Sequence, residues 1–277
     1  MANKSDEDVA QEIYQSVIQS NKELKKLKSS TFWSLFDVKT KHKTVIERIE
    51  RLLDENNLMA IVKSGKTFGR EEKDDWIILT PIIAIDKTPG KLAGPKDTSP
   101  PSSDWFKEMQ ARTFESEREV ETYFIVPMIE KLGYYYDDIV IGHPVYMFKG
   151  VKRIKTEADF VVFKGPCREL EDVLLVIEAK NSDKDISRDN IGQAKSYAQE
   201  LLPACYLITN GQKIMVFRFS GSLCPDKLVM DFDRSMLVEK WDDLYGYASK
   251  NATIQRKLRL INLMREISDE DSDPPKS

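Results

Sequence analysis

Histidine is nearly missing from this chain: His42 and His143 are all there is, which argues against mechanisms built on paired histidines. Cys167, Cys205 and Cys224 are too few and too scattered for a disulfide framework or a zinc site, so a reducing compartment, the cytoplasm, is expected. No apolar run approaches the roughly 18 residues a membrane helix needs, and the amino terminus shows no signal-peptide core, so no membrane partner is expected. An excess of positive charge is lacking too. The formal net charge of −4 argues against a general polyanion binder but leaves room for a local basic patch. What is present is ample core material: 41% of the 277 residues are hydrophobic and 32% charged, enough for one large domain or two small ones.

Composition divides the chain. Residues 1–85 form an amino-terminal module, with helical spacing in Asp8 to Leu24 and Lys43 to Leu53, and Thr31 to Phe36 between them. Two strand-like runs follow, Leu58 to Val62 and Trp76 to Ile83, and the arrangement is winged-helix-like. Residues 86–104 are rich in proline, glycine and serine and read as a linker. A second domain spans 105–267, and the acidic tail 268–277 reads as disordered. In that domain Glu115 to Leu132 is expected to be a helix with Val120, Phe124, Ile125, Met128 and Ile129 inward and Gly133 as its stop. Strands are expected at Ile139 to Met147, Ala158 to Phe163, Val173 to Ala179, Cys205 to Thr209 and Lys213 to Phe219. A helix is expected at Ile186 to Leu201, and two more at about 235–249 and 252–266. This is an α/β arrangement, a sheet flanked by helices.

Two places break the apolar strand pattern. Leu174 to Ile177 runs straight into Glu178, Ala179 and Lys180, and Asp159 interrupts a strand that continues as Phe160, Val161, Val162 and Phe163. A carboxylate inside such a strand is costly without a partner, so both acids are expected at strand ends facing a cleft. Two carboxylates on adjacent strands would suit a hard divalent cation, which prefers oxygen ligands. Lys180 repeats the side-chain direction of Glu178. Beside such a cation its ammonium would orient or help deprotonate an attacking water, and its pKa is expected to fall.

These residues resemble the PD-(D/E)XK nuclease signature: Asp159, then Glu178-Ala179-Lys180, with Ala158 where the signature has proline. Gln193 to Tyr197 resembles the accompanying QxxxY motif. Ser116 to Glu121, with Ile125, Pro127, Leu132, Gly133 and Tyr134, is similar to the opening helix of the amino-terminal nuclease domain of type I restriction enzyme motor subunits. Thr209-Asn210-Gly211 matches that family's turn. The resemblance covers roughly residues 112–220, and no helicase motor follows. It implies a restriction-endonuclease-like mixed sheet and Mg2+-dependent hydrolysis of phosphodiesters, with Mn2+ as a substitute. Asp159 and Glu178 would hold the metal, with the Ala179 carbonyl and Glu117 or Glu121 completing the site. Lys180 would act on the water, and Gln193 and Tyr197 would contact the scissile strand or orient Lys180. DNA rather than RNA is the implied substrate, in antiviral defence, with a homo-oligomer or a defence partner protein. The rival reading is a non-catalytic DNA-binding, regulatory or adaptor protein on a nuclease-derived scaffold.

Two amino-terminal features remain. Ala60 to Thr67 fits a relaxed phosphate-loop pattern, but Phe68-Gly69 and a run of charges follow where a helix is needed, so it reads as a hairpin wing. Lys22 to Lys43 carries Lys25, Lys26, Lys28, Lys39, Lys41 and Lys43, a patch able to track a phosphate backbone or simply a solvated helix end. Trp33 and Phe36 within it read as core.

Overall fold

The computed structural model describes residues 4–20, 24–64, 66–81, 100–149, 152–221 and 226–269. The chain divides into two compact units, one within 1–84 and the other built from 85–221 and 226–266.

In the first unit, Ser5 caps α1 (Asp6–Ile18) through a reciprocal box with Asp8. Val9, Ala10, Ile13 and Val17 line its buried face. The chain then forms β1 (Lys25–Lys28), α2 (Ser29–Leu35), α3 (Lys43–Glu55), β2 (Leu58–Val62) and β3 (Trp76–Pro81). The three strands form one antiparallel sheet in the order β1-β3-β2. Lys25 to Lys28 is therefore a strand paired to Leu79 to Trp76, not the end of a helix. Its own pattern gives no strand signal, and its apolar partner β3 supplies the pairing. Trp33 and Phe36 are core, with Phe32 against both rings and against Phe68. Buried Glu71 ties this core together, accepting from Ser29 Oγ at 3.0 Å, Trp33 Nε1 at 2.6 Å and Lys41 Nζ at 2.9 Å. Those donors hold its pKa down against the opposing effect of burial. No helix opens at Lys66-Thr67, where Lys66 instead pairs with Glu72, so the phosphate-loop pattern is the expected coincidence.

The expected linker lies outside the described residues except for its end. There Ser102 caps α4 (Ser103–Ala111), whose Trp105 and Phe106 rings meet Trp241. The helix expected over 115–132 forms as α5 (Glu117–Val120), a π turn at Glu121–Ile125, and α6 (Val126–Lys131). All five inward positions are fully buried, and Gly133 ends the run at φ 91°. The π turn has a sequence cause. Pro127 has no N–H to donate to the Tyr123 carbonyl, and the Val126 N–H reaches back to Glu121. Moreover Val120, Phe124, Met128 and Leu132 recur every fourth residue and all are buried. In an α-helix that spacing drifts by about 40° per step, and a wider turn takes up the drift.

The second sheet runs β4 (Ile139–Lys149), β5 (Lys152–Phe163), β6 (Val173–Ala179), β7 (Cys205–Thr209), β8 (Lys213–Arg218) and β9 (Lys227–Asp233), in that order across the sheet. Only β6 and β7 pair in parallel, and α7 (Arg188–Leu201) makes the crossover. Central β6 is buried at all seven positions, as a strand covered on both sides must be. β5 begins six residues before the expected Ala158, because its polar first half is held by a long pairing with β4. β9 was not expected: its Leu-Val-Met run does not alternate, and it sits at the sheet edge. α8 (Leu237–Ala248) and α9 (Lys250–Asp269) close the unit, α9 reaching into the expected tail, whose residues 270–277 lie outside the described residues. The result is a six-stranded mixed sheet flanked by helices. Among the described residues no helix is long and apolar enough to cross a membrane.

Candidate metal centre and its lysine

β5 and β6 run antiparallel with Phe160 opposite Ile177. One step past that last pair come Asp159 and Glu178; Glu178 is near the end of β6, but Asp159 lies inside the longer β5 and not at the strand end expected. The Ala179 N–H donates to Asp159 Oδ2 at 2.7 Å, fixing that carboxylate on the neighbouring strand. Lys180, the first residue beyond β6, turns its Nζ onto Glu178 Oε1 at 2.6 Å, so acid and base lie on one side as the period-two pattern requires. Its backbone N–H donates to the Thr209 carbonyl, which continues the parallel ladder.

Glu117 and Glu121 arrive from the opening helix. One carboxylate oxygen from each, with one from Asp159, lies within 4.8 Å of the other two. Glu121 also accepts from Arg118 at 2.9 Å. The structure thus draws both helix acids to Asp159, although the sequence reading needed only one of them. Glu178 is 1% exposed, and its Oε2 is buried without a hydrogen-bond partner.

The electrostatics follow from this crowding. Burial lifts the Asp159 pKa to about 6, helped by Glu117 and Glu121 and opposed by the Ala179 N–H and Lys180. Burial and the Asp159 charge lift Glu178 to about 7. For Lys180 burial works downward, but the Glu178 hydrogen bond and the surrounding carboxylates hold its pKa above the ordinary value. The expected depression of Lys180 is therefore corrected for the metal-free site, where its neighbours are anions.

A hard divalent cation fits this set. The donors are oxygens, one buried carboxylate oxygen lacks a partner, and the acids are too crowded to ionise freely without a countercharge. The Ala179 carbonyl belongs to the same strand end.

Gln193 Nε2 donates to the Tyr197 hydroxyl at 2.8 Å, and that hydroxyl lies 2.9 Å from Thr156 Oγ1 on β5. Tyr197 is buried, and its hydroxyl meets the strand that carries Asp159. Thr156 carried no signal in the sequence, since it lies in the polar half of β5.

The basic patch of the first unit is divided among partners. Lys25 bonds Ser16, Lys28 bonds the Asp74 carbonyl and lies over Trp76, and Lys41 is held by Glu71. Lys26 is half-buried in β1, whereas Lys39 and Lys43 are exposed, Lys43 lying 3.7 Å from Glu47.

A mixed sheet that brings Asp159, Glu178 and Lys180 together on adjacent strands, with two acids from the opening helix, defines a candidate metal centre. Residues 116–223 match the family described as Type I restriction enzyme R protein N terminus (HSDR_N), so this part of the chain is similar to that family. A fragment structure assigned as an HsdR subunit of a type I restriction enzyme from Vibrio vulnificus YJ016 is similar at 21% identity with a TM-score of 0.32. The match covers 46% of this chain and 25% of that one, so the present chain spans about a quarter of that subunit fragment. No curated protein matches.

Proposed function

We propose that the second unit is a metal-dependent endodeoxyribonuclease of the PD-(D/E)XK type, with a role in defence against foreign DNA. The observation that carries this reading is the cluster of Glu117, Glu121 and Asp159, with Glu178 paired to Lys180 on the adjacent strand. A divalent cation, Mg2+ or Mn2+, would supply Lewis-acid polarisation of the phosphate and ease deprotonation of a water. Asp159, Glu178 and the helix acids would hold it, with the Ala179 carbonyl as a further oxygen.

Lys180 Nζ, protonated against Glu178, donates hydrogen bonds to the attacking water and to the non-bridging oxygen on which charge develops. Thr156, Tyr197 and Gln193 brace β5 beneath Asp159. The first unit, with helices ahead of a β2–β3 hairpin and a third strand beside it, supports a winged-helix reading. Its exposed Lys39 and Lys43 would add phosphate contacts outside the cleft.

Purified protein incubated with plasmid DNA or RNA, in Mg2+, Mn2+ or EDTA, tests the assignment. DNA cleavage that needs the metal is expected, and Asp159→Asn and Glu178→Gln should each abolish cleavage and calorimetric Mn2+ binding while the protein stays folded. Full activity in either variant would end the assignment at this site.

A further inference from the structure

The Thr209-Asn210-Gly211 turn makes bonds beyond those a strand connection needs. Asn210 is 5% exposed. Its Oδ1 accepts from the Gln212 and Lys213 N–H groups at 3.0 and 2.8 Å, which shapes the turn itself. Its Nδ2 does something else: it donates to the Lys184 carbonyl at 2.8 Å, in the loop that follows Lys180. An aspartate would shape the turn equally well, so the amide is required by the loop.

The same loop is tied a second time. Ser182 Oγ donates to the Phe114 carbonyl at 2.6 Å, just ahead of α5. Phe114 in turn lies on the turn. A Cβ on Gly211 would stand 2.7 Å from the Phe114 ring and 3.1 Å from Val120, and Gly211 holds φ 78°. Below the ring, the Arg234 guanidinium sits 4.9 Å from its centroid while the Arg234 N–H reaches the Gln212 carbonyl. Three segments far apart in sequence are thereby locked together: the entry to the helix bearing Glu117 and Glu121, the exit from the strand bearing Glu178 and Lys180, and the 209–211 turn.

The geometry points to Asn210 as a positioning residue for Lys180. It acts through the 181–187 loop without touching the acidic cluster, and Ser182 is its second anchor. Lys180 carries its Nζ on a flexible stem at the last backbone bond of the β6–β7 ladder. The loop beyond it helps keep that bond from fraying. Loosening the loop shifts the ammonium from the water while the carboxylates, held within the opening helix, β5 and β6, stay in place. Misplacement of a reacting group by about 1 Å costs on the order of 100-fold in rate.

This inference rests on the nuclease reading, and its test separates the two. Asn210→Asp retains both acceptor bonds of the turn and sets an oxygen against the Lys184 carbonyl. Ser182→Ala removes the other tie and leaves the turn alone. In metal-free protein, amide hydrogen exchange over 181–187 should speed up by about tenfold or more in each variant. With Mn2+ and DNA, kcat should fall roughly 10- to 100-fold while KM and the calorimetric Mn2+ affinity stay near wild type. A merely structural role would lower all of these together with the folded fraction. Unchanged exchange in both variants, or a rate loss matched by an equal loss of Mn2+ affinity, would overturn the inference. If the wild type neither cleaves DNA nor binds Mn2+, the nuclease reading falls, and the exchange measurement alone still decides the clamp.

Discussion

Lys180 and the two carboxylates beside it all hold their protons more tightly than their ordinary pKa values imply. The folded metal-free protein binds protons on Asp159 and Glu178 more tightly than the unfolded chain does, because both pKa values are raised, to about 6 and about 7. Their contribution to stability is therefore fully present below about pH 4 and is lost as pH rises through about 7. In EDTA, thermal denaturation should show a falling Tm across that window. Saturating Mg2+ should restore stability above pH 7, by about 2.7 kcal/mol at 100 times Kd. A flat Tm profile in EDTA would mean that these acids are not crowded in solution. Lys180→Ala addresses chemistry instead. It removes the amine and adds no ligand, so single-turnover cleavage at saturating Mg2+ should fall about 10²–10⁴-fold while a metal titration is unchanged. Near-normal cleavage would leave Lys180 as a solvated strand end. These three residues were legible in the sequence because a charge that interrupts a run of valine, leucine and isoleucine needs a special place. Tyr197 was not, since an aromatic on a helix face looks the same whether it meets a substrate or a threonine on the next strand.

Among the elements, the opening helix shows how far periodicity reaches. Its inward residues were readable, but its wide turn was not, because a count of apolar positions does not register which carbonyl a missing N–H leaves free. Pro127→Ala restores that N–H. Regular α pairing would then rotate Glu117 and Glu121 by about 100° relative to Met128 and Ile129, which anchor the far end in the core. Calorimetric Mn2+ affinity should drop about 10- to 100-fold, as for losses of outer support in metal sites, with helicity by circular dichroism intact. Unchanged affinity would remove the proline from any part in the site. Strands showed the converse weakness. The polar half of β5 and the lysine-rich β1 are strands by virtue of their partners, which a local reading does not see.

At the scale of the molecule, the chain divides into two compact units, and composition did not reveal how the first one uses its basic segment. Lys25, Lys28 and Lys41 are occupied inside the first unit, leaving Lys39 and Lys43 as the exposed lysines of the expected patch among the described residues. If these two meet phosphates, Lys39→Glu with Lys43→Glu should weaken DNA binding and make its salt dependence shallower by roughly 0.9 per lost contact. An unchanged slope would point the module toward a protein partner. The parallel pairing of Ala179 with Thr209 has a further consequence, one of timing. The site's own side chains lie between Glu117 and Lys180, yet the backbone that holds Lys180 comes from the strand and turn that follow α7. A nascent chain emerging from the ribosome thus presents every acid and the lysine before it has the means to aim them. Lys180 therefore has its backbone partner only once β7 and its turn have docked.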